Sequence, residues 1–202
     1  MRRVEQHVIE QSHPHYRAID AMAFASKHLW NLANYQTRQA FIFQHRYLKS
    51  AALYPTVKHT DAYQALPAKV ANQVLLQLDQ AWKSFFEANE AYQADPAKFS
   101  GRPKLPKYKH KTEGRNLLIF ERGCIWKAEL RQREIAVSHL GVLGETKQQP
   151  ASVRQVRVVP KADHYVLEVV YEAEEQRAEG LDPDLFVALD RASQRPGSPD
   201  LQ

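Results

Sequence analysis

The side chains best suited to chemistry lie in one short basic segment, residues 98–115. Seven of its 18 residues are lysine or arginine and one is acidic, which gives a net charge of +6. The rest of the chain holds 21 basic and 22 acidic residues. Charge of one sign raises the local potential and attracts polyanions, although a solvated lysine-rich loop has the same composition. The candidate binding residues are Lys98, Arg102, Lys104, Lys107, Tyr108, Lys109, Lys111 and Arg115.

The order of residues in this segment favours an extended backbone. Pro103 and Pro106 stiffen the chain and lower its entropy. In an extended backbone the alternating Lys107, Lys109 and Lys111 point the same way, so they form a row of cations. The phosphate oxygens along a nucleic-acid strand need such a row of cations.

Two further side chains of the segment add to this chemistry. Arg102 can hold a phosphate group through two parallel hydrogen bonds, whereas the lysines act as point charges. Tyr108 can stack on a base. Phosphate contacts position a polymer without reading its sequence, so the pattern predicts nucleic-acid binding without sequence specificity.

Other reactive groups are few. Cys124 is the only cysteine in the sequence, which excludes an internal disulfide and a four-cysteine zinc site. It begins an apolar stretch, so we expect a buried structural thiol in a reducing cytoplasm rather than a nucleophile. His13 and His15 flank Pro14 and are interpreted as turn residues, so no metal site is predicted.

Size and composition narrow the class of protein. The 202 residues suffice for one large or two small domains, and 44% apolar with 25% charged residues is typical of soluble globular proteins. No stretch approaches the roughly 20 apolar residues of a membrane span, and no apolar core follows the two N-terminal arginines. We therefore expect a protein without a membrane partner, located in the cytoplasm.

The elements that position these residues follow from hydrophobic periodicity. Helical steps predict helices over residues 16–48 and 67–94, with Pro67 at the first helical position of the second and Asp95–Pro96 ending it. A strand is predicted at residues 5–9 and a loop at residues 51–58. The second helix carries a core-facing stripe made of Val70, Val74, Leu78, Trp82 and Phe85.

After residue 115 the period changes to that of strands. Residues 153–159 and 164–172 predict an antiparallel hairpin, and Gly141 and Gly144 predict turns. Residues 174–184 are interpreted as a linker and residues 191–202 as disordered. The remaining strands are predicted at residues 116–120, 124–126, 134–137 and 185–190.

Several of these segments, taken in order, resemble the transposon-encoded OrfB/TnpB family. The resemblance covers roughly residues 4–190, and the shared order of the motifs is more specific than any single motif. The matching segments are residues 23–31 in the first helix, 66–75 and 78–86 in the second, the basic residues 99–109, and the strand residues 156–160 and 165–172.

The resemblance implies an α+β fold and a nucleic-acid partner. Members of this family are RNA-guided DNA endonucleases, with a β-barrel (OB-like) wedge module interrupted by a helical recognition lobe and followed by an RNase H-like RuvC domain. By that likeness, residues 1–15 and 116–178 form the wedge barrel, residues 16–115 the recognition lobe with its basic loop, and residues 179–202 the start of the RuvC domain. The implied partners are a guide RNA and DNA, held through backbone and shape.

The departures from the family concern catalysis. Asp190 matches the first catalytic aspartate, but Arg191 follows it, and the family's glutamate, second aspartate and four zinc cysteines have no counterpart. Cleavage by two metal ions needs several carboxylates, and magnesium serves in the intact family. We therefore expect a truncated, catalytically inactive chain without a cofactor that keeps the nucleic-acid-binding parts.

Two alternatives remain at this stage. A partner fragment could supply the missing carboxylates in trans, which would make the chain one subunit of an active nuclease. The chain could instead be a non-functional pseudogene product or an interaction protein with exposed apolar surface.

Overall fold

The computed structural model of the protein describes residues 1–174, which combine five α-helices and two short 3-10 helices with two antiparallel sheets in a mixed α+β arrangement. The strand and linker predicted beyond residue 174, and Asp190 with them, lie outside the described residues. The helices are α1 (Tyr16–Gln44), α2 (Ser50–Val57), α3 (Asp61–Gln64), α4 (Ala68–Ala94) and α5 (Lys127–Arg131). The strands are β1 (Arg2–Ile9), β2 (Leu118–Glu121), β3 (Glu134–Val137), β4 (Gly141–Glu145), β5 (Val153–Pro160) and β6 (Tyr165–Glu172).

The long helices α1 and α4 pack against each other, and α4 does so through the stripe that its periodicity predicts. Val70, Val74, Leu78 and Trp82 of α4 are all buried. The ring of Phe41 on α1 lies 5.2 Å from that of Trp82, centroid to centroid. The predicted core role of the α4 stripe is therefore confirmed.

The ends of the two long helices differ slightly from the predictions. Pro67, predicted as the first helical residue of α4, is instead its N-cap, one position before Ala68. α1 ends at Gln44 rather than near residue 48, because His45 takes a left-handed conformation (φ 52°) and its N–H donates to Ala40 O. This left-handed residue turns the chain away from the helix axis.

The loop predicted over residues 51–58 is wrong, since helix α2 lies there despite Pro55 inside it. Leu53 and Val57 are four residues apart and both are fully buried in the shared core. Their burial outweighs the backbone hydrogen bond that the proline cannot donate. The short helix α3 was not predicted either; the Thr60 side chain caps it by accepting from the N–H of Tyr63.

The larger sheet has the strand order β1-β6-β5-β2, and every neighbouring pair is antiparallel. The β5–β6 hairpin confirms the prediction, with Val158 opposite Leu167. β1 pairs with β6 along its whole length, from Arg2 opposite Glu172 to Ile9 opposite Tyr165. Helices α1 to α4 therefore lie, in sequence, between β1 and β2, two strands of this sheet.

The smaller sheet consists of β3 and β4, and it overturns two local predictions. Gly141 and Gly144 lie inside β4 rather than in turns, and Gly141 uses a positive φ of 73° at the start of the strand. Residues 124–126 form no strand beyond a single bridge from Ile125 to Val137, because Cys124 ends a 3-10 helix (Arg122–Cys124) and Trp126 is the N-cap of α5. Among the described residues the two sheets do not close into a barrel, since the outer edges of β1 and β2 have no strand partner there.

One hydrophobic core runs through both halves of the described chain. It joins Leu75 of α4 to Phe120 of β2, Val156 of β5 and Ile135 of β3. Cys124 is buried beside them, as the sequence predicts for a structural thiol. None of the helices in residues 1–174 is long and apolar enough to cross a membrane.

Candidate nucleic-acid interface

The basic segment lies along α1 without regular secondary structure. We call residues 102–111 the strap. Its carbonyl groups accept hydrogen bonds from α1 side chains: Trp30 Nε1 donates to Lys107 O (3.1 Å) and Lys27 Nζ to Lys111 O (2.5 Å). Because the strap residue number rises as the helix residue number falls, the strap runs antiparallel to α1.

Asn31 binds the strap as a neighbouring strand would. Its Oδ1 accepts from the N–H of Lys109 (2.8 Å) and its Nδ2 donates to the carbonyl of the same residue (3.0 Å). Farther along α1, Arg38 Nη1 donates to Pro106 O (3.2 Å). Since α1 satisfies these backbone groups, the strap keeps a fixed path and its side chains remain available for other contacts.

Two buried asparagines connect the strap to the core. Asn34 Nδ2 donates to Pro106 O (3.0 Å), while its Oδ1 accepts from Trp82 Nε1 (3.1 Å). Just after the strap, Asn116 Nδ2 donates to Ser26 Oγ (3.0 Å). The path of the strap is therefore coupled to the packing of α1 against α4.

An ion pair closes the C-terminal end of the basic segment. Arg115 donates two hydrogen bonds to Asp20, at 2.6 and 2.8 Å, and Tyr165 of β6 donates a third at 2.7 Å. The hydrogen bonds from Arg115 hold the pKa of Asp20 below its usual value. The guanidinium group of Arg115 is thus paired with a carboxylate. Through Asp20 it connects the end of the basic segment to α1 and to Tyr165 of β6.

The strap leaves several cations open to solvent. None of the ion pairs within residues 1–174 involves Arg102, Lys104, Lys107 or Lys111, and all four are exposed. Lys98, just before the strap, lies 3.3 Å from Asp95. The uncompensated charge of the candidate site is therefore concentrated on four strap residues.

The other two candidate residues of the strap lie against α1. Lys109 Nζ is 5.1 Å from the centre of the Trp30 ring, and burial lowers the pKa of this lysine. Tyr108 remains 45% exposed, and the Arg38 guanidinium lies 5.0 Å from the centre of its ring. Lys109 thus departs from the uniform row of lysines that strict alternation predicts.

Sequence reasoning missed the helix side chains that hold the strap. Lys27 is only 1% exposed, its Nζ lies 3.6 Å from the centre of the Phe24 ring, and burial lowers its pKa. The signal was present as Lys27, Asn31, Asn34 and Arg38, which place polar residues at steps of four, three and four in a largely apolar helix. Such a row marks a helix face that contacts backbone rather than apolar side chains.

Neither a cluster of metal-binding side chains nor similarity to known proteins helps to define the site. Within residues 1–174, no three histidine, cysteine, aspartate or glutamate side chains lie together in a group that would hold a metal ion. The chain matches no protein-family model and no curated protein.

Proposed function

We propose that the strap binds the sugar–phosphate backbone of a nucleic acid, and that the chain is the guide-RNA- and DNA-holding part of a transposon-encoded RNA-guided nuclease of the OrfB/TnpB type. The observation that supports this is the set of four exposed strap cations on a backbone fixed by α1. Phosphate oxygens along a strand are the complementary ligand for such a row.

The fixed backbone favours this function over that of a solvated lysine-rich loop. Binding costs free energy whenever a mobile segment has to be ordered. Trp30, Asn31 and Asn34 hold the carbonyls of the strap before any ligand arrives. A loop that only improved solubility would need no such contacts, whereas a preorganised row of cations binds a polyanion with less ordering cost.

The finer assignment rests on the sequence resemblance. In this proposal β1 to β6 correspond to the OB-like wedge module, α1 to α4 to the recognition lobe, and residues 179–202 to the start of a RuvC-like domain. The proposed role is binding in the cytoplasm or at the nucleoid, and Asp190 takes no part in it. The magnesium chemistry of the intact family is not assigned to residues 1–174.

Salt dependence of binding tests the proposal. The full 202-residue chain is titrated into a labelled 20-nucleotide single-stranded RNA at several salt concentrations, and anisotropy gives the affinity. If the four cations of the strap each neutralise one phosphate, log K falls by about 3 per decade of salt. Changing Arg102, Lys104, Lys107 and Lys111 to glutamine together should bring the slope close to zero.

A second quadruple variant with the same net charge serves as the control. It replaces four exposed cations outside the strap with glutamine, namely Lys83, Lys127, Arg131 and Lys161. This variant should keep the slope of the unmodified chain, because its lysines and arginine do not contact the ligand. Equal slopes for the two quadruple variants, or a flat response of the unmodified chain, would show that the strap is not a phosphate-binding element.

A further inference from the structure

Helix α1 carries a row of side chains beside the strap, separate from its buried face, which includes Ile19, Ala23, Ser26, Trp30, Ala33 and Thr37. The members recur at steps of four, three, four, three and four residues, so they share one face of the helix. The row consists of Phe24, His28, Asn31, Tyr35, Arg38 and Ile42.

Most of this row is already occupied by contacts within the fold. The ring of Phe24 is covered by Lys27 (3.6 Å), by Arg115 (4.7 Å) and by the edge of His28 (4.7 Å between centroids). Asn31 and Arg38 hold the strap backbone. These side chains therefore have structural roles that explain their positions.

Tyr35 has no such role in the described part of the chain. Its side chain is 54% exposed, and among residues 1–174 no aromatic ring or cation packs on it and no hydrogen bond reaches its hydroxyl. An exposed tyrosine has a free π-face, so it can stack on a flat ligand. The fold leaves this face open next to the strap.

Contacts on either side of Tyr35 place it beside the part of the strap that carries Tyr108, another exposed tyrosine. Asn31, which holds Lys109, is one turn before it, and Arg38, which covers one face of Tyr108, is one turn after it. Side chains three or four residues apart on a helix have Cβ atoms about 5–6 Å apart. Tyr35 on α1 therefore lies beside the stretch of the strap that includes Tyr108 and Lys109.

We propose that Tyr35 and Tyr108 form a stacking platform for unpaired bases, so that the ligand of the strap is a single strand with accessible bases. This inference rests on the proposed function, because the strap supplies the phosphate contacts. A duplex keeps its bases stacked inside, whereas a single strand can place successive bases on aromatic rings while its phosphates follow a row of cations. Stacking tolerates every base, which agrees with a site that does not read sequence.

A strand without bases separates stacking from phosphate binding. The full chain is titrated with a labelled 20-nucleotide oligothymidine, with an abasic strand of the same length, and with a 20-base-pair duplex. Stacking adds about 1–3 kcal/mol per base, so the unmodified chain should bind oligothymidine at least about fivefold more tightly than the abasic strand. Tyr35→Ala should lower this preference and leave the affinity for the abasic strand unchanged.

Two variants serve as controls for the platform. Tyr35→Phe keeps the ring and should keep the preference for bases. Phe43→Ala removes an aromatic side chain of α1 that is 73% exposed but lies off the row, and it should change nothing. Because both residues are on the surface, the circular dichroism spectra of these variants should match that of the unmodified chain.

The outcomes separate this inference from the proposed function. Equal, salt-dependent binding of oligothymidine and the abasic strand would overturn the platform and leave the phosphate-binding strap standing. Binding of the duplex as tightly as the single strand would overturn it as well. Absence of salt-dependent binding to any of the three ligands would refute the proposed function itself.

Discussion

Asn34 is the residue through which the strap should affect the stability of the whole fold. It is fully buried, donates to Pro106 O and accepts from Trp82 Nε1, and Trp82 is itself fully buried. Asn34→Ala removes both hydrogen bonds, each worth about 1 kcal/mol net, and leaves the indole N–H without this acceptor at a further cost of about 1–3 kcal/mol. We expect a loss of about 3–5 kcal/mol in the free energy of unfolding.

Urea unfolding measures this loss. For a chain of this size the slope of stability against urea is about 2 kcal/mol per molar, so the midpoint should fall by roughly 1.5–2.5 M. Far-ultraviolet circular dichroism is the primary probe, since the fluorescence of Trp82 is changed directly by the substitution. Coincidence of the two probes confirms a single transition.

A matched asparagine on α4 provides the comparison. Asn72 is exposed and accepts one hydrogen bond, from the hydroxyl of Tyr63 (2.9 Å). Asn72→Ala should cost less than about 1 kcal/mol, because water can replace the lost partner. If Asn34→Ala were as mild as Asn72→Ala, the buried asparagine would not link the strap to the core.

Two further predictions concern titratable groups. The pKa of Asp20 is lowered first by the hydrogen bonds from Arg115, so its stabilising effect is present above its ordinary value of 3.8 and is lost as the pH falls through the lowered value. Asp20→Asn should therefore flatten the decline of urea stability below about pH 4, and an unaltered pH profile would argue against this ion pair. Burial raises the pKa of the Cys124 thiol, so at pH 8 a thiol reagent should label the native protein at least about tenfold more slowly than the unfolded protein, whereas equal rates would mean an accessible thiol.

Local periodicity accounts for the parts of the fold that the sequence predicts. The stripe from Val70 to Trp82 places apolar side chains on one helix face whatever lies opposite, and the alternation in residues 164–172 does the same for a strand. Helix α2 could not be predicted in this way. Two apolar residues four positions apart, Leu53 and Val57, are too short a pattern to indicate a helix in a segment that contains Pro55. Their burial in the shared core decides the outcome.

In the candidate site, too, some properties follow from neighbouring residues and others from contacts between distant segments. The sequence alone determined that a proline-stiffened row of cations joins the helices to the later strands. Only the tertiary structure decided which of those cations are open, because the partner of Arg115 lies 95 residues away on α1 and Lys109 rests on a ring 79 positions earlier. Charge and spacing are properties of neighbouring residues, whereas exposure and pairing depend on contacts that form only when distant segments pack together.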